Sequence, residues 1–353
     1  MPQPTTHYLV TRRAIPREHW SDWWDRFKPY FGLGSTAPDL FYFPKISLER
    51  NYSSKISDAL HSERSYDLFC TMLDMAKQSK LNSDTPPNIA EKQFAFSVGF
   101  YAHVITDCIF HPYVYRSTND HWNTKDFSNE SKHKIQEFRI DRGVHRKIWG
   151  KDQEVGTTAW SCPGELPDLL EYCIVYLFNT GLTSIYPTRF TSNRDISDDS
   201  HPIQQAYNTL NSELPYLLNG QQLLLWGSGT RMNTSEIDID DHFFSSAYPQ
   251  FTGLDSYTPQ DLFNFSCVAC RNLFLSALDF FNSETSSSAD TYFSSQPTNY
   301  LGQGNWNLDT GLLCQYNTDD MMLRECPEHY QYKVDELNRQ YSKLSKLYQS
   351  MSF

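Results

Sequence analysis

His103, Asp107 and His111 stand four residues apart in GFYAHVITDCIFHPYV, residues 99 to 114, inside a run that is otherwise largely apolar. On a helix such positions line one side, with successive Cβ atoms about 5 to 6 Å apart. Phe100, Tyr101, Val104, Ile105, Cys108, Ile109 and Phe110 flank them. The three polar groups therefore point into protein or a cleft, where isolated polar groups are costly. A second run, HKIQEFRIDRGVH, sets His133, Glu137 and Asp141 at the same spacing. A histidine with a carboxylate one turn on is a recurrent way to hold a first-row metal, with neutral imidazole and ionised carboxylate as ligands. One such pair alone also suits a hydrogen-bonded core pair or a surface pair. Two of them, with a third histidine in phase, point to a cage between facing helices. Asp141, one turn beyond Glu137, is placed to orient a ligand rather than to bind the ion.

Helical periodicity dominates the chain and alternating runs are few and short, so the expected class is all-α. The patterning predicts helices over 16–29, 63–80, 88–111, 128–149, 165–182, 201–226, 258–283 and 329–350. LGSTAPD, NSDTPPN and SCPGELPD supply stops and starts at their joins. TSNRDISDDSHP, GSGTRMNTSEIDIDD and NSETSSSADTYFSSQPTNYLGQGNW read as long surface loops. No internal repeat is visible. Residues 1–155 hold most of the histidines and form the expected metal-binding helical core; 156–353 form a helical region with long polar loops, packed onto the same domain.

At 353 residues, with 15% aromatic side chains including 22 Tyr and 23 Phe, the chain can bury a sizeable core and is not a disordered one. Its formal charge of −12 repels nucleic acid and anionic membranes except at a local cationic site, which a bound divalent metal supplies. The N-terminal run lacks the apolar stretch of a secretory leader, and no later run is expected to reach the roughly 18 apolar residues that span a bilayer. As written, the chain reads as cytoplasmic without a membrane anchor, and as secreted if a leader has been removed. The eight cysteines form no dense disulfide framework, and Cys267 and Cys270 of CVAC fall in a helix-like apolar run, so they read as buried thiols.

THYLVTRRAI, GSTAPDLFYFP, DALHSERSYDLF, FAFSVGFYAHVITDCIFHP and HKIQEFRID, in that order, resemble the zinc-dependent phospholipase C family over residues 5 to 150. They are also similar to the catalytic region of glycosylphosphatidylinositol-specific phospholipase D, and zinc nucleases specific for single strands share the architecture. The resemblance implies a multi-helix bundle of the phospholipase C and zinc-nuclease type, with a trinuclear zinc cluster in a cleft. His61, His103 and Asp107 would hold one zinc, Asp107 would bridge to a second that also takes His7, and His111, His133 and Glu137 would hold the third. Asp39 of APDLFY would act as ligand or general base. In secreted members the free terminal amine also binds a zinc; removal of Met1 would leave the Pro2 amine five residues from His7. Without it, two zinc ions rather than three are expected. Leu40 stands where choline-binding phospholipases carry an aromatic, so choline specificity is not implied.

Zinc clusters activate water near neutral pH and neutralise phosphoryl charge, which is phosphoester hydrolysis. No Gly-x-Ser-x-Gly elbow or phosphate loop argues for a protein nucleophile. The resemblance implies a phospholipase C type cut in a phospholipid. The alternatives are a biosynthetic enzyme acting on a small phosphorylated metabolite, a phospholipase D type cut, or a nuclease, against which the acidic charge counts. Phe41, Tyr42 and Tyr101 are candidate pocket residues, as is the aromatic group Trp20, Trp23, Trp24, Phe27, Tyr30 and Phe31; for each a core role is the alternative. Trp149 carries the same ambiguity, and Trp306 and Asp309 of GQGNWNLDTGLLCQYN could shape the pocket or form a structural turn. Oligomeric state is not legible.

Overall fold

The structure, a computed structural model, describes residues 4–42, 55–61, 63–117, 127–144, 147–148, 171–190, 201–218, 222–225, 230–233, 257–295, 306–307, 312–313 and 327–351. Ten α-helices run through these segments: α1 Pro4–Ala14, α2 Asp25–Gly34, α3 Ser65–Leu81, α4 Pro87–Ser117, α5 Phe127–Val144, α6 Tyr172–Ile185, α7 Pro202–Leu218, α8 Pro259–Asn282, α9 Ala289–Ser294 and α10 Pro327–Ser350. A further helical turn occupies 55–61. Two short antiparallel hairpins, β1 Gln222–Leu225 with β2 Thr230–Asn233 and β3 Trp306–Asn307 with β4 Leu312–Leu313, complete the described elements. The all-α reading holds for everything that positions the candidate site.

Three expectations are corrected. The helix predicted over 16–29 is a 3-10 turn at Arg17–His19, a π turn at Trp20–Trp24 and then α2. A π turn inserts an extra residue and rephases the helix. Trp24 thereby enters the core at 4% exposure, while Trp20 and Trp23 stay partly buried. Helix α1, which carries His7, was not foreseen. The helix predicted over 201–226 stops at Leu218, and Gln222–Leu225 is a strand; Asn219-Gly220 is the kind of C-terminal signal that ends a helix. The polar runs read as loops contain strand β2 and helix α9, whose Ala289 and Phe293 are core residues.

Helix α4 is the axis of the fold. It packs against α1, α2, α3, α5, α6 and α8. Asn88–Val114 is long and apolar enough to cross a membrane on length and composition, contrary to the sequence expectation, yet its most apolar stretch is wholly buried within the chain. This is how a central core helix reads. Where α2 crosses α4, Gly34 and Gly99 meet backbone to backbone. A Cβ on Gly99 would lie 3.1 Å from Gly34 Cα and inside contact distance of the Phe31 carbonyl, and one on Gly34 would press on the Phe96 carbonyl. No side chain fits between the two helices here.

Helix α8 begins with a capping box, in which the Thr258 hydroxyl accepts from Asp261 N and the Asp261 carboxylate accepts from Thr258 N. At its other end, Lys77 and Lys80 of α3 donate to Thr285 O and Phe281 O, placing cations at the negative end of the dipole. Cys267 and Cys270 lie buried on α8, with their thiols pushed up in pKa, Cys267 to about 12, by burial. Both are packing residues rather than a redox pair. Trp24, Phe27, Tyr30 and Phe31 are likewise core aromatics.

Candidate metal centre

Four elements converge on one buried point. Helix α4 presents His103 and Asp107, both 0% exposed, and His111 at 2%. Helix α1 brings His7, the 3-10 turn Ala37–Tyr42 brings Asp39, and the short helix at 55–61 brings His61. The His7 Nε2 is 3.2 Å from one Asp107 oxygen, and the His103 Nε2 is 3.1 Å from the other. His61 Nε2 lies 3.3 Å from Asp39 and 3.6 Å from Asp107, and His111 Nε2 lies 4.0 Å from Asp107. Two triplets have ligand atoms close enough to share an ion: His7, His103 and Asp107, and Asp39, His61 and His103.

The rings are held in one tautomer. The His103 Nδ1 is 2.8 Å from Ser35 O, and the His61 Nδ1 is 2.7 Å from Ser57 O. A carbonyl only accepts, so each Nδ1 carries the hydrogen and each Nε2 is left with its lone pair facing the carboxylates. Ser35 reaches His103 because it follows Gly34 at the tight α2–α4 crossing. Ser57 is fixed in turn by its hydroxyl, which donates to Pro38 O at 2.7 Å, tying the helix of His61 to the turn of Asp39.

Several of these atoms are close without being hydrogen-bonded to one another. Both ring nitrogens of His7, the His103 Nε2, the Asp39 Oδ1 and both Asp107 oxygens make no hydrogen bond among the described residues. Each buried polar atom left in this state costs about 1 to 3 kcal/mol. Lone pairs on imidazoles and carboxylates aimed at common points are what a cation requires, so the residues present fit a metal ion.

The electrostatics agree. Burial alone would raise the Asp107 carboxyl, but His103, His111 and His7 outweigh it and hold it well below the usual carboxylate range. Asp39 is likewise lowered, the His103 and His61 rings overcoming burial. Burial, helped by His103, pushes His7 down to about 4, which keeps its ring neutral at pH 7. The two rings stack at 3.8 Å, where two imidazolium charges would repel. His61 is raised: burial opposes its charge, but Asp39 prevails.

Of the remaining site expectations, Glu137 is fully buried on α5. His133 lies on the same helix, but its side chain is outside the described residues, so the set His111, His133 and Glu137 is seen only in part. Asp141 accepts hydrogen bonds from Thr5 N, Thr6 N and the Thr6 hydroxyl. Burial raises its pKa to about 6 against these donors. Phe41 is buried between Phe178 and Phe190, and Tyr101 is buried and stacked on Phe69 at 4.6 Å, so both occupy core positions. Tyr42 is half-buried, 5.7 Å from the His61 ring, with its hydroxyl donating to Asp58. Pro2, Trp149 and Asp309 lie outside the described residues, and Trp306 is described only as a strand position. Sequence reasoning missed Ser35 and Ser57, because a carbonyl leaves no mark on residue type.

A helical protein with imidazoles and carboxylates gathered in its core, tautomers fixed from outside, belongs to the class of buried metal centres. Residues 6–177, nearly half of the chain and containing every candidate ligand side chain, match the model of the zinc dependent phospholipase C family. Zinc is therefore the metal its donor set serves. No curated protein and no solved structure matches the chain.

Proposed function

We propose that the chain is a zinc-dependent hydrolase that cuts a phospholipid phosphodiester in the manner of a phospholipase C, releasing diacylglycerol and a phosphorylated head group. The observation that carries this is the convergence of the His7 ring, the His103 Nε2 whose tautomer Ser35 O locks, and the Asp39 and Asp107 carboxylates, with atoms that make no hydrogen bond among the described residues. In this reading His61, His103, Asp39 and Asp107 hold one zinc, His7 and Asp107 a second, and His111, His133 and Glu137 a third. Bound zinc lowers the pKa of water toward about 7 and neutralises charge on a phosphoryl oxygen.

The chain's own residues supply direction. Asp39 has the most exposed side chain of the ion-paired ligands, at 11%, so substrate and water enter on its side, past Tyr42. Its lowered pKa keeps it ionised, so it orients the attacking water by accepting its hydrogen. The buried Asp107 and its imidazoles exclude bulk solvent from the opposite side, which strengthens every charge interaction within. Helices α6 and α8, from residues 156–353, support this unit by packing against α4.

The test joins metal content to product analysis. Zinc is measured by plasma mass spectrometry on the purified protein and on H103A and E137A. Vesicles of mixed phosphatidylcholine, phosphatidylethanolamine and phosphatidylinositol are then assayed for diacylglycerol. Two or three zinc ions per chain, diacylglycerol release, and loss of both in H103A support the proposal. Phosphatidic acid instead would place the cut on the other ester bond, cleavage of a single-stranded oligonucleotide alone would make the chain a nuclease, and absence of zinc would end the reading.

A further inference from the structure

The three histidines nearest Asp107 on other elements or turns are not held alike. His61 and His103 are each pinned through their own ring, by Ser57 O and Ser35 O. Neither nitrogen of His7 makes a hydrogen bond among the described residues, so only its stacking on His103 and the placement of its backbone orient it. That backbone belongs to the first turn of α1. The first amides of a helix lack intrahelical acceptors and need them from elsewhere. Here the acceptor is a carboxylate 135 residues away: Asp141 takes Thr6 N at 2.8 Å, Thr5 N at 3.1 Å and the Thr6 hydroxyl. All three residues are buried, and Thr6 is the immediate neighbour of His7.

We propose that Asp141 is the positioning residue for His7: by clamping the start of α1 to α5, it fixes His7 against His103 and Asp107 and sets that group relative to Glu137, one turn away on α5. The inference rests on the metal-centre reading above and deepens it. Asp141 works through the main chain of Thr5 and Thr6 and the Thr6 hydroxyl. It does for the His7 backbone what Ser35 and Ser57 do for two rings. The second ion thus depends on a contact between two helices that are far apart in sequence, whereas the ion at Asp39, His61 and His103 does not.

The experiment compares wild type, D141N, T6S and T6V by zinc content after dialysis against graded chelator, with cobalt(II) substitution read by absorption. Asn keeps one acceptor but turns an amide donor toward the α1 amides. Losing a group that orients a ligand typically weakens metal binding about 10- to 100-fold. The expected result is that D141N binds one ion about 10- to 100-fold more weakly while the remaining ions keep wild-type affinity, with one cobalt band lost and the rest unshifted. T6S, which keeps the hydroxyl, should match wild type, and T6V should weaken the same ion to a lesser degree. Wild-type binding of every ion by D141N, or parallel loss of all ions, overturns the proposal. Should D141N fail to fold, T6V decides alone: selective weakening of one ion supports the clamp, and unchanged binding overturns it. A wild-type protein that binds no zinc overturns the metal-centre reading itself, a different failure.

Discussion

Gly99→Ala sets two physical effects against each other. In an exposed helix interior, Ala is preferred over Gly by about 1 kcal/mol, so propensity alone predicts a more stable protein. At this position the new Cβ meets the Phe31 carbonyl and Gly34 Cα, backbone atoms that no rotamer change can move. Overpacking of this kind costs about 1 to 3 kcal/mol, and obstruction by rigid backbone belongs at the upper end. The net expectation is a loss of about 2 kcal/mol. A second effect follows from the same crossing. Separation of α2 from α4 by about 1 Å would carry Ser35 O from 2.8 Å to beyond hydrogen-bonding range of the His103 Nδ1. The tautomer that leaves Nε2 free then loses its anchor, and zinc affinity should fall about 10- to 100-fold. Urea unfolding in chelator, followed by Trp fluorescence, reads the first effect, and zinc titration by calorimetry reads the second. A G99A protein as stable as wild type, with unchanged zinc affinity, would refute the argument that this glycine contact positions the metal ligand.

Further expectations concern the supports around the site. Asp141 has a folded pKa of about 6, above its unfolded value, so its stability contribution is full below about 4 and is lost as pH rises through 6; between pH 4 and 7.5 wild type should lose up to about 3 kcal/mol relative to D141N in chelator, measured by urea midpoints. Tyr341 on α10 donates to Ile109 O at 2.7 Å, two residues before His111, so Y341F should cost about 1 kcal/mol in thermal unfolding while leaving the fold intact. Lys92 holds Glu171 at 2.7 and 2.9 Å with both side chains partly exposed, so K92M should lower stability by no more than about 1 kcal/mol and less in high salt. A loss above 3 kcal/mol in K92M would show that this pair matters more than its solvent access permits.

The candidate ligands were legible because their chemistry imposes residue type: only a few side chains can hold zinc, and the helical spacing of His103, Asp107 and His111 survives in the letters. Asp39, His61 and His7 were visible only through the ordered set of motifs, since each alone is an ordinary polar residue. Of the groups around the ligands, Asp141 was singled out by its place one turn beyond Glu137, but its partner was not, because the patterning does not foresee the helix that begins at Pro4. Ser35 and Ser57 were not visible at all, since they act through carbonyls that every residue possesses. The π turn at Trp20–Trp24 escaped for a related reason: a single inserted residue changes the phase of a pattern without changing its composition. Pocket residues fared worst, since Phe41 and Tyr101 read equally as lining or core, and the structure buries both.

The burial of α4 also bears on how the chain is made. Its partner α8 lies at Pro259–Asn282, so when Val114 has been synthesised about 170 residues remain before α8 is complete. At typical translation rates of about 5 to 20 residues per second, that is on the order of ten to thirty seconds during which one side of a strongly apolar helix lacks its cover. Throughout that interval the segment Asn88–Val114 presents a nascent chain's surveillance factors with the length and hydropathy of a membrane insert. The polar trio His103, Asp107 and His111 interrupts that stretch near its middle, and charged or ionisable groups there oppose insertion. The residues proposed to gather metal thus also mark the helix as one destined for a protein interior, so a variant that replaces them with leucine should be tested for misrouting to membranes as well as for lost zinc.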